Sequence, residues 1–269
     1  MFSHRNNWTH ILALKVFLLV LVGALALVLL HPEWWMWALA VVFVNHFTLT
    51  IAGLIPRSKL LGPNLTRLPD DAAQRGEVAI TIDDGPEPGV TPQVLDMLDR
   101  YQAKATFFCI ARKAAQHPEL CSEIIRRGHT IENHSHAHHW YFSLLGPWNI
   151  YREIQAAQKV LGEVCGQPPR FFRPPAGLRN PMLQLVLERC GLRLCTWSKR
   201  GFDTRIGDAA AVLTSLTRDL KGGDILLLHD GNAAIATTGN PVILDVLPAL
   251  LESLKQANLR AVTLSAAIP

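Results

Sequence analysis

Two apolar runs near the start of the chain leave the fewest structural choices. Residues 11–30, ILALKVFLLVLVGALALVLL, are interrupted by a single charge at Lys15, and residues 34–55, WWMWALAVVFVNHFTLTIAGLI, follow after only His-Pro-Glu. Each is about as long as a helix needs to cross a bilayer, and among open segments only a helix satisfies its own backbone in lipid. Residues 1–56 therefore read as a membrane anchor of two transmembrane helices in a tight hairpin, with Trp34, Trp35 and Trp37 as an interfacial aromatic belt. A cleaved signal peptide, the alternative, would be shorter, would end in a small-residue cleavage site and would not precede a second span.

Arg5 precedes the first run, Arg57, Lys59 and Arg67 follow the second, and the connection carries Glu33. The positive-inside rule then makes this a multi-pass inner-membrane protein with everything after residue 56 in the cytoplasm. Asn45 and His46 weaken the second span; if it lay along the interface instead, the rest of the chain would face the periplasm. The formal charge of +4 comes without a long Lys/Arg run or interleaved aromatics, so nucleic acid is not an expected partner and membrane lipid is. The five cysteines form no CxxC pair and are odd in number, which indicates neither a zinc knuckle nor a complete disulfide framework. The sequence is silent on oligomeric state.

Residues 57–75, rich in Pro, Gly and charge, read as a linker to a domain spanning 76–269. In that domain β-rich runs near 77–83, 105–111, 130–134, 170–173, 192–197, 224–229 and 260–264 alternate with helical patterns near 92–102, 114–127, 148–164, 181–190, 208–220 and 241–257. Such alternation predicts an α/β fold with a parallel sheet, and seven units favour a distorted barrel of (β/α)7 type. Barrels of this kind keep their chemistry at the C-terminal ends of the strands.

The polar residues collect at those ends. Asp83 and Asp84 close the first strand in AITIDDGP, and ENHSHAHH closes the third, its His134 and His138 spaced so that one turn of chain can aim both imidazoles at one ion. FFRPPAG puts Arg173 after the fourth strand, WSKRGFDT puts Asp203 after the fifth, and DILLLHDG ends the sixth with His229. Taken singly, a pair of aspartates before Gly-Pro is a turn, an Arg before Pro-Pro is surface loop, and a His after an apolar strand is a satisfied core residue. Their joint occurrence, in order, at five strand ends favours one shared site. His136 and His139 read as bystanders.

This ordered set resembles the NodB-type polysaccharide deacetylases of carbohydrate esterase family four, over roughly residues 76 to 266. TIDDGP at 81–86 is similar to that family's first motif, HSHAH at 134–138 to its second, RPPAG at 173–177 to its third, Asp203 to its fourth, and LLH at 227–229 to its fifth. The resemblance implies Asp83 as catalytic base paired with Arg173, His229 as general acid backed by Asp203, and Asp84, His134 and His138 as ligands of a divalent metal, zinc by preference. It further implies that Pro175, Ala176, Trp197 and Leu227 bind substrate. Ala176 and Thr204 stand where the family often carries aromatics, so the walls that grip a long polymer are reduced.

These residues suit hydrolysis of an N-acyl group, acetyl or formyl, from an amino sugar: an open metal site, an ionised base and a held acid. The substrate expected is an amino-sugar glycan or glycolipid, lipid-linked or oligosaccharide. Peptidoglycan or an exported polysaccharide is the alternative if the domain faces the periplasm, and a catalytically inactive sugar-binding or scaffold protein is the second alternative. The loop WYFSLLGPW, residues 140–148, is apolar enough either to be core or to dip into lipid beside the site.

Overall fold

The computed structural model describes residues 12–268, so Arg5 lies outside the described part. Helices α1 (Leu12–Leu30) and α2 (Trp35–Leu54) form the expected hairpin, joined by a short 3-10 turn over Pro32–Trp34. Both are long and apolar enough to cross a membrane. Helix α1 buries no residue, whereas α2 buries Ala38, Leu49, Ala52 and Gly53. The approach near its end is close. A Cβ on Gly53 would lie 2.2 Å from the Arg179 carbonyl oxygen, and the Arg179 amide donates to Gly53 O at 3.2 Å.

Residues 57–75 are laid against the domain rather than strung between two parts. They include helix α3 (Asp70–Gln74), and Leu65 bridges to Cys195 while Arg67 bridges to Asp224. Beyond them run β1 (Glu77–Asp83), α4 (Thr91–Arg100), β2 (Ala105–Cys109), α5 (Ala111–Gln116), α6 (Pro118–Arg126), β3 (Thr130–Asn133), α7 (Pro147–Cys165) and β4 (Phe171–Phe172). Then follow α8 (Leu183–Cys190), β5 (Arg193–Leu194), β6 (Lys199–Arg200), α9 (Ala209–Thr217), β7 (Ile225–His229), α10 (Val242–Gln256), β8 (Arg260–Ala261) and α11 (Leu264–Ala267).

The strands pair in parallel in the order β5-β4-β3-β2-β1-β7-β6, with β8 on the start of β1. Strands β5 and β6 do not pair, so the sheet is the expected distorted (β/α)7-type barrel, curled and open along one seam. Residues 65–68 fill that seam: Leu65 N donates to Leu194 O, Thr196 N to Leu65 O, and Leu68 N to Gly223 O. The pattern near 114–127, expected as one helix, is broken into α5 and α6. Pro118 lacks an amide hydrogen and excludes helical backbone at the residue before it, and His117 accordingly has φ −134 and ψ 59. Strand β6 has no signature of its own; Lys199 and Arg200 become strand by pairing with Leu226 and Leu227.

Period-two alternation sorts the sheet's two faces. Val78, Ile80 and Ile82 of β1, with Leu226 and Leu228 of β7, join the outer core packed under α4 and α10. Ala79, Phe108, Ile225 and Leu227 join a second, inner core. By the same alternation Thr81, Asp83 and His229 share that inner side. The five cysteines are free thiols.

Candidate active site

Register brings the first two groups together. Strands β1 and β7 align Asp83 with His229 as direct neighbours at their C-terminal ends. Successive residues of a strand face opposite ways, so Asp84 should point away from Asp83. It does not, because Asp84 leaves the strand in the left-handed region at φ 74, and both carboxylates face one pocket. The turn depends on two glycines. A Cβ on Gly85 would come within 2.4 Å of the Asp230 carboxylate, and one on Gly231 within 2.4 Å of Asp84 O.

One side of the pocket is a set of buried, fully bonded pairs. Arg173 is 0% exposed, and its Nη1 donates to Asp83 Oδ1 at 2.6 Å and to Thr81 Oγ1 at 2.9 Å. Its Nε and Nη2 donate to the carbonyls of Cys195 and Thr196, and its guanidinium lies 4.0 Å from the Phe108 ring centre. Asp203 receives His229 Nδ1 at 2.8 Å on one oxygen and the His229 amide at 2.7 Å on the other. Burial pulls the His229 pKa down, but the Asp203 carboxylate outweighs it and the net shift is upward.

The other side is the cluster Asp84, His134 and His138, whose ligand-capable atoms lie within 4.8 Å of one another. Asp84 Oδ1 stands 3.2 Å from His134 Nε2 and 3.1 Å from His138 Nε2. That oxygen is buried and accepts no hydrogen bond, as a ligand atom aimed at an ion would be. His134 Nδ1 is 2.7 Å from the Arg173 carbonyl, the outer contact that orients a metal-binding imidazole. Burial pushes the Asp84 carboxyl upward, yet the two imidazoles hold it well below the carboxylate range. The donor set of one carboxylate and two imidazoles suits zinc or a similar divalent ion with positions left open. The turn carrying the histidines is not the helical one that their spacing suggests; Ser135 and His138 have φ 66 and 53, and the Ser135 hydroxyl receives the His138 amide.

A pocket of about 250 Å³ joins both sides, lined by Asp83, Asp84, His134, His138 and His229 together with Ala176, Trp197 and Leu227. Pro175, expected to bind substrate, is buried in the turn beneath and is not part of that lining, because the left-handed backbone at Ala176 turns the chain around it. Arg173 and Asp203 stand behind the lining, each holding the group in front of it. His139 pairs with Glu153 at 3.6 Å, away from the cluster.

Four lining residues escaped the sequence reading: Gly177, Arg200, Arg205 and Asn232. Asn232 Nδ2 donates to Asp84 Oδ2 at 3.1 Å, which fixes that carboxylate. Its only signal was proximity to His229 in HDGN. Asp230 went unremarked too; burial pushes its carboxyl up to about 7, and Thr91 Oγ1 donates to it at 2.5 Å. The loop 140–148 divides its apolar residues: Phe142 is buried against Phe172 and Ile150, whereas Trp140, Leu144 and Trp148 are exposed.

A family model described as polysaccharide deacetylase matches residues 70–195. A peptidoglycan-N-acetylglucosamine deacetylase of Bacillus cereus is 34% identical over 190 residues, covering 70% of this chain and 86% of the relative. A chitooligosaccharide deacetylase of Azorhizobium caulinodans is 34% identical over 158 residues, 58% of this chain and 75% of the relative. The solved structure of a family 4 carbohydrate esterase from Streptomyces lividans, in complex with acetate, superposes with a TM-score of 0.62 at 29% identity over 69% of this chain and 91% of that one.

Proposed function

Because the chain belongs to the polysaccharide deacetylase family, we propose that it is a metal-dependent N-deacetylase of an amino-sugar glycan or glycolipid, held at the inner membrane by its N-terminal hairpin. The observation that carries this reading is the orphaned Asp84 Oδ1 between two imidazoles, in one pocket with the Asp83–Arg173 and Asp203–His229 pairs. Asp84, His134 and His138 would hold the ion, which when bound supplies Lewis acidity toward water and the amide carbonyl. Asp83, paired with Arg173, takes the proton of the attacking water. His229, kept protonated by Asp203, gives a proton to the departing amine, and the products are a carboxylate and a free amino sugar. Trp197, Ala176 and Leu227 form the wall against which the sugar lies.

The lipid-reconstituted protein with zinc should release acetate from N-acetylglucosamine oligomers; a chelator should abolish release and zinc restore it. Turnover persisting in a verified apo protein would reject the metal mechanism. Absence of turnover on any N-acyl sugar would favour the inactive, sugar-binding reading. The charges at Arg57, Lys59 and Arg67 support a cytoplasmic domain, so a reporter fused after Pro269 should give a cytoplasmic signal. A reversed signal would favour peptidoglycan as substrate, the polymer in the name of the Bacillus cereus relative.

A further inference from the structure

Trp197 and Arg200 line two spaces at once. Besides the catalytic pocket they border a neighbouring groove of about 480 Å³, whose other walls include Pro56, Arg57, Lys199, Phe202 and Arg218. Four of these residues are cations, no Asp or Glu lines the groove, and among the described residues none of the four forms an ion pair. Their bonds go to backbone instead: Arg57 Nη1 donates to Ser198 O at 3.2 Å, and Lys199 Nζ donates to Arg218 O. The Arg200 guanidinium is held between the Trp197 and Phe202 rings, 5.2 and 4.8 Å from their centres, and its Nε is buried without a partner.

Clustered cations repel, and one anion in the groove would relieve that repulsion. Guanidinium forks match phosphate geometry better than any other side chain. The groove's position narrows the source of the anion. Pro56 and Arg57 come directly after Ile55, the residue that caps α2, and Pro56 packs on the pocket's own wall, where a Cβ on Gly177 would sit 2.9 Å from it. The groove thus runs from the catalytic pocket to the place where the apolar hairpin joins the domain.

Building on the deacetylase reading, we propose that this groove binds the phosphate or diphosphate of a lipid-linked substrate, an amino sugar joined through that phosphate to a hydrocarbon chain in the bilayer. The phosphate, seated among Arg57, Arg200 and Arg218, would bring the attached sugar's N-acyl group into the neighbouring pocket. A soluble sugar nucleotide offers the same phosphate chemistry without the chain.

The test compares three substrates bearing the same N-acetylglucosamine, with the full-length protein in lipid nanodiscs: a neutral oligosaccharide, a soluble nucleotide diphosphate sugar, and a prenyl-diphosphate-linked sugar. The lipid-linked form should exceed the neutral one in kcat/KM by about tenfold or more, the scale of a charged hydrogen bond. Arg57→Gln with Arg218→Gln should remove that advantage through KM and leave the neutral oligosaccharide within about twofold, since both side chains are exposed. Arg57→Lys with Arg218→Lys should keep most of it, and added salt should weaken only the phosphate-bearing substrates. Equal kcat/KM for neutral and lipid-linked sugars, or equal losses on both in the glutamine pair, would overturn the groove assignment and leave the deacetylase reading intact. Preference for the sugar nucleotide would overturn the lipid source. No turnover of any of the three would overturn the deacetylase reading itself.

Discussion

The two sides of the catalytic pocket are built on different backbones. Asp83 and His229 sit in register on paired strands, and Arg173 and Asp203 behind them are 0% exposed with every charged partner in place. Asp84, Ser135 and His138, by contrast, all lie in the left-handed region, at a cost of order 1–3 kcal/mol each, and Asp84 keeps a buried oxygen without a donor. Of nine non-glycine residues with positive φ among those described, five, Asp84, His138, Ala176, Phe202 and Asn232, line the pocket or its adjoining groove, and Ser135 lies buried beneath His138, whose amide its hydroxyl receives. The Asp83–His229 side is complete as folded; the Asp84–His138 side is held in left-handed loops by the packing around it, and an ion there would supply the partner that the buried Asp84 oxygen lacks.

The largest effect should come from the ligand side. Asp84→Ala, His134→Ala or His138→Ala should bring activity to background and remove the rise in Tm that zinc gives the unmodified protein, a rise equivalent to about 2.7 kcal/mol at a hundredfold excess over Kd. An undiminished zinc-dependent shift in Asp84→Ala would place the ion elsewhere and break the comparison. Asp83→Asn should behave oppositely in binding: the zinc-dependent shift stays while kcat falls by roughly 10² to 10⁴. Near-normal turnover in that variant would remove Asp83 as the base.

A smaller effect sharpens the acid–base side. The Asp203 carboxylate holds the His229 pKa above its ordinary value; on the proposed mechanism the protonated form should persist as pH rises and activity should fail only above that raised pKa. By linkage, the stability contributed by this pair is full below the unfolded histidine pKa and is lost as pH rises through the folded one. Asp203→Asn should therefore move the alkaline limb of the kcat profile to lower pH, with the acidic limb unchanged. An alkaline limb that does not move would mean His229 is not the titrating acid.

The smallest effect belongs to loop 140–148, outside both sides. Replacing exposed Trp140, Leu144 and Trp148 with Ser should alter folding stability by about 0.5 kcal/mol for each residue, yet weaken binding to lipid vesicles in a co-sedimentation assay. Unchanged vesicle binding would leave the membrane contact to the hairpin alone.

Much of the site was legible because strand and helix alternate. That pattern puts strand ends on one rim, and the polar residues in AITIDDGP, ENHSHAHH and DILLLHDG stand at such ends. The break at Pro118 was equally legible in principle, since proline cannot continue a helix from His117. Asn232 and Arg200 were not, because an Asn after His-Asp-Gly reads as a turn residue and an Arg beside Lys as solvated surface until a ligand carboxylate or two aromatic rings lie against them.

The sequence by itself determined most of the elements: two long apolar runs that form helices, apolar runs that become the buried strands β1, β2 and β7, and the carboxylates and imidazoles at their ends. These follow from local periodicity and backbone hydrogen bonding, which neighbours along the chain decide. Only the tertiary structure decided that Asp83 meets Arg173 across 90 residues, that Asp203 reaches His229 across 26, and that residues 65–68 close the seam the strands leave open. Those contacts depend on register and curl of the whole sheet, and on a single left-handed residue, Asp84, that turns two adjacent carboxylates to the same side.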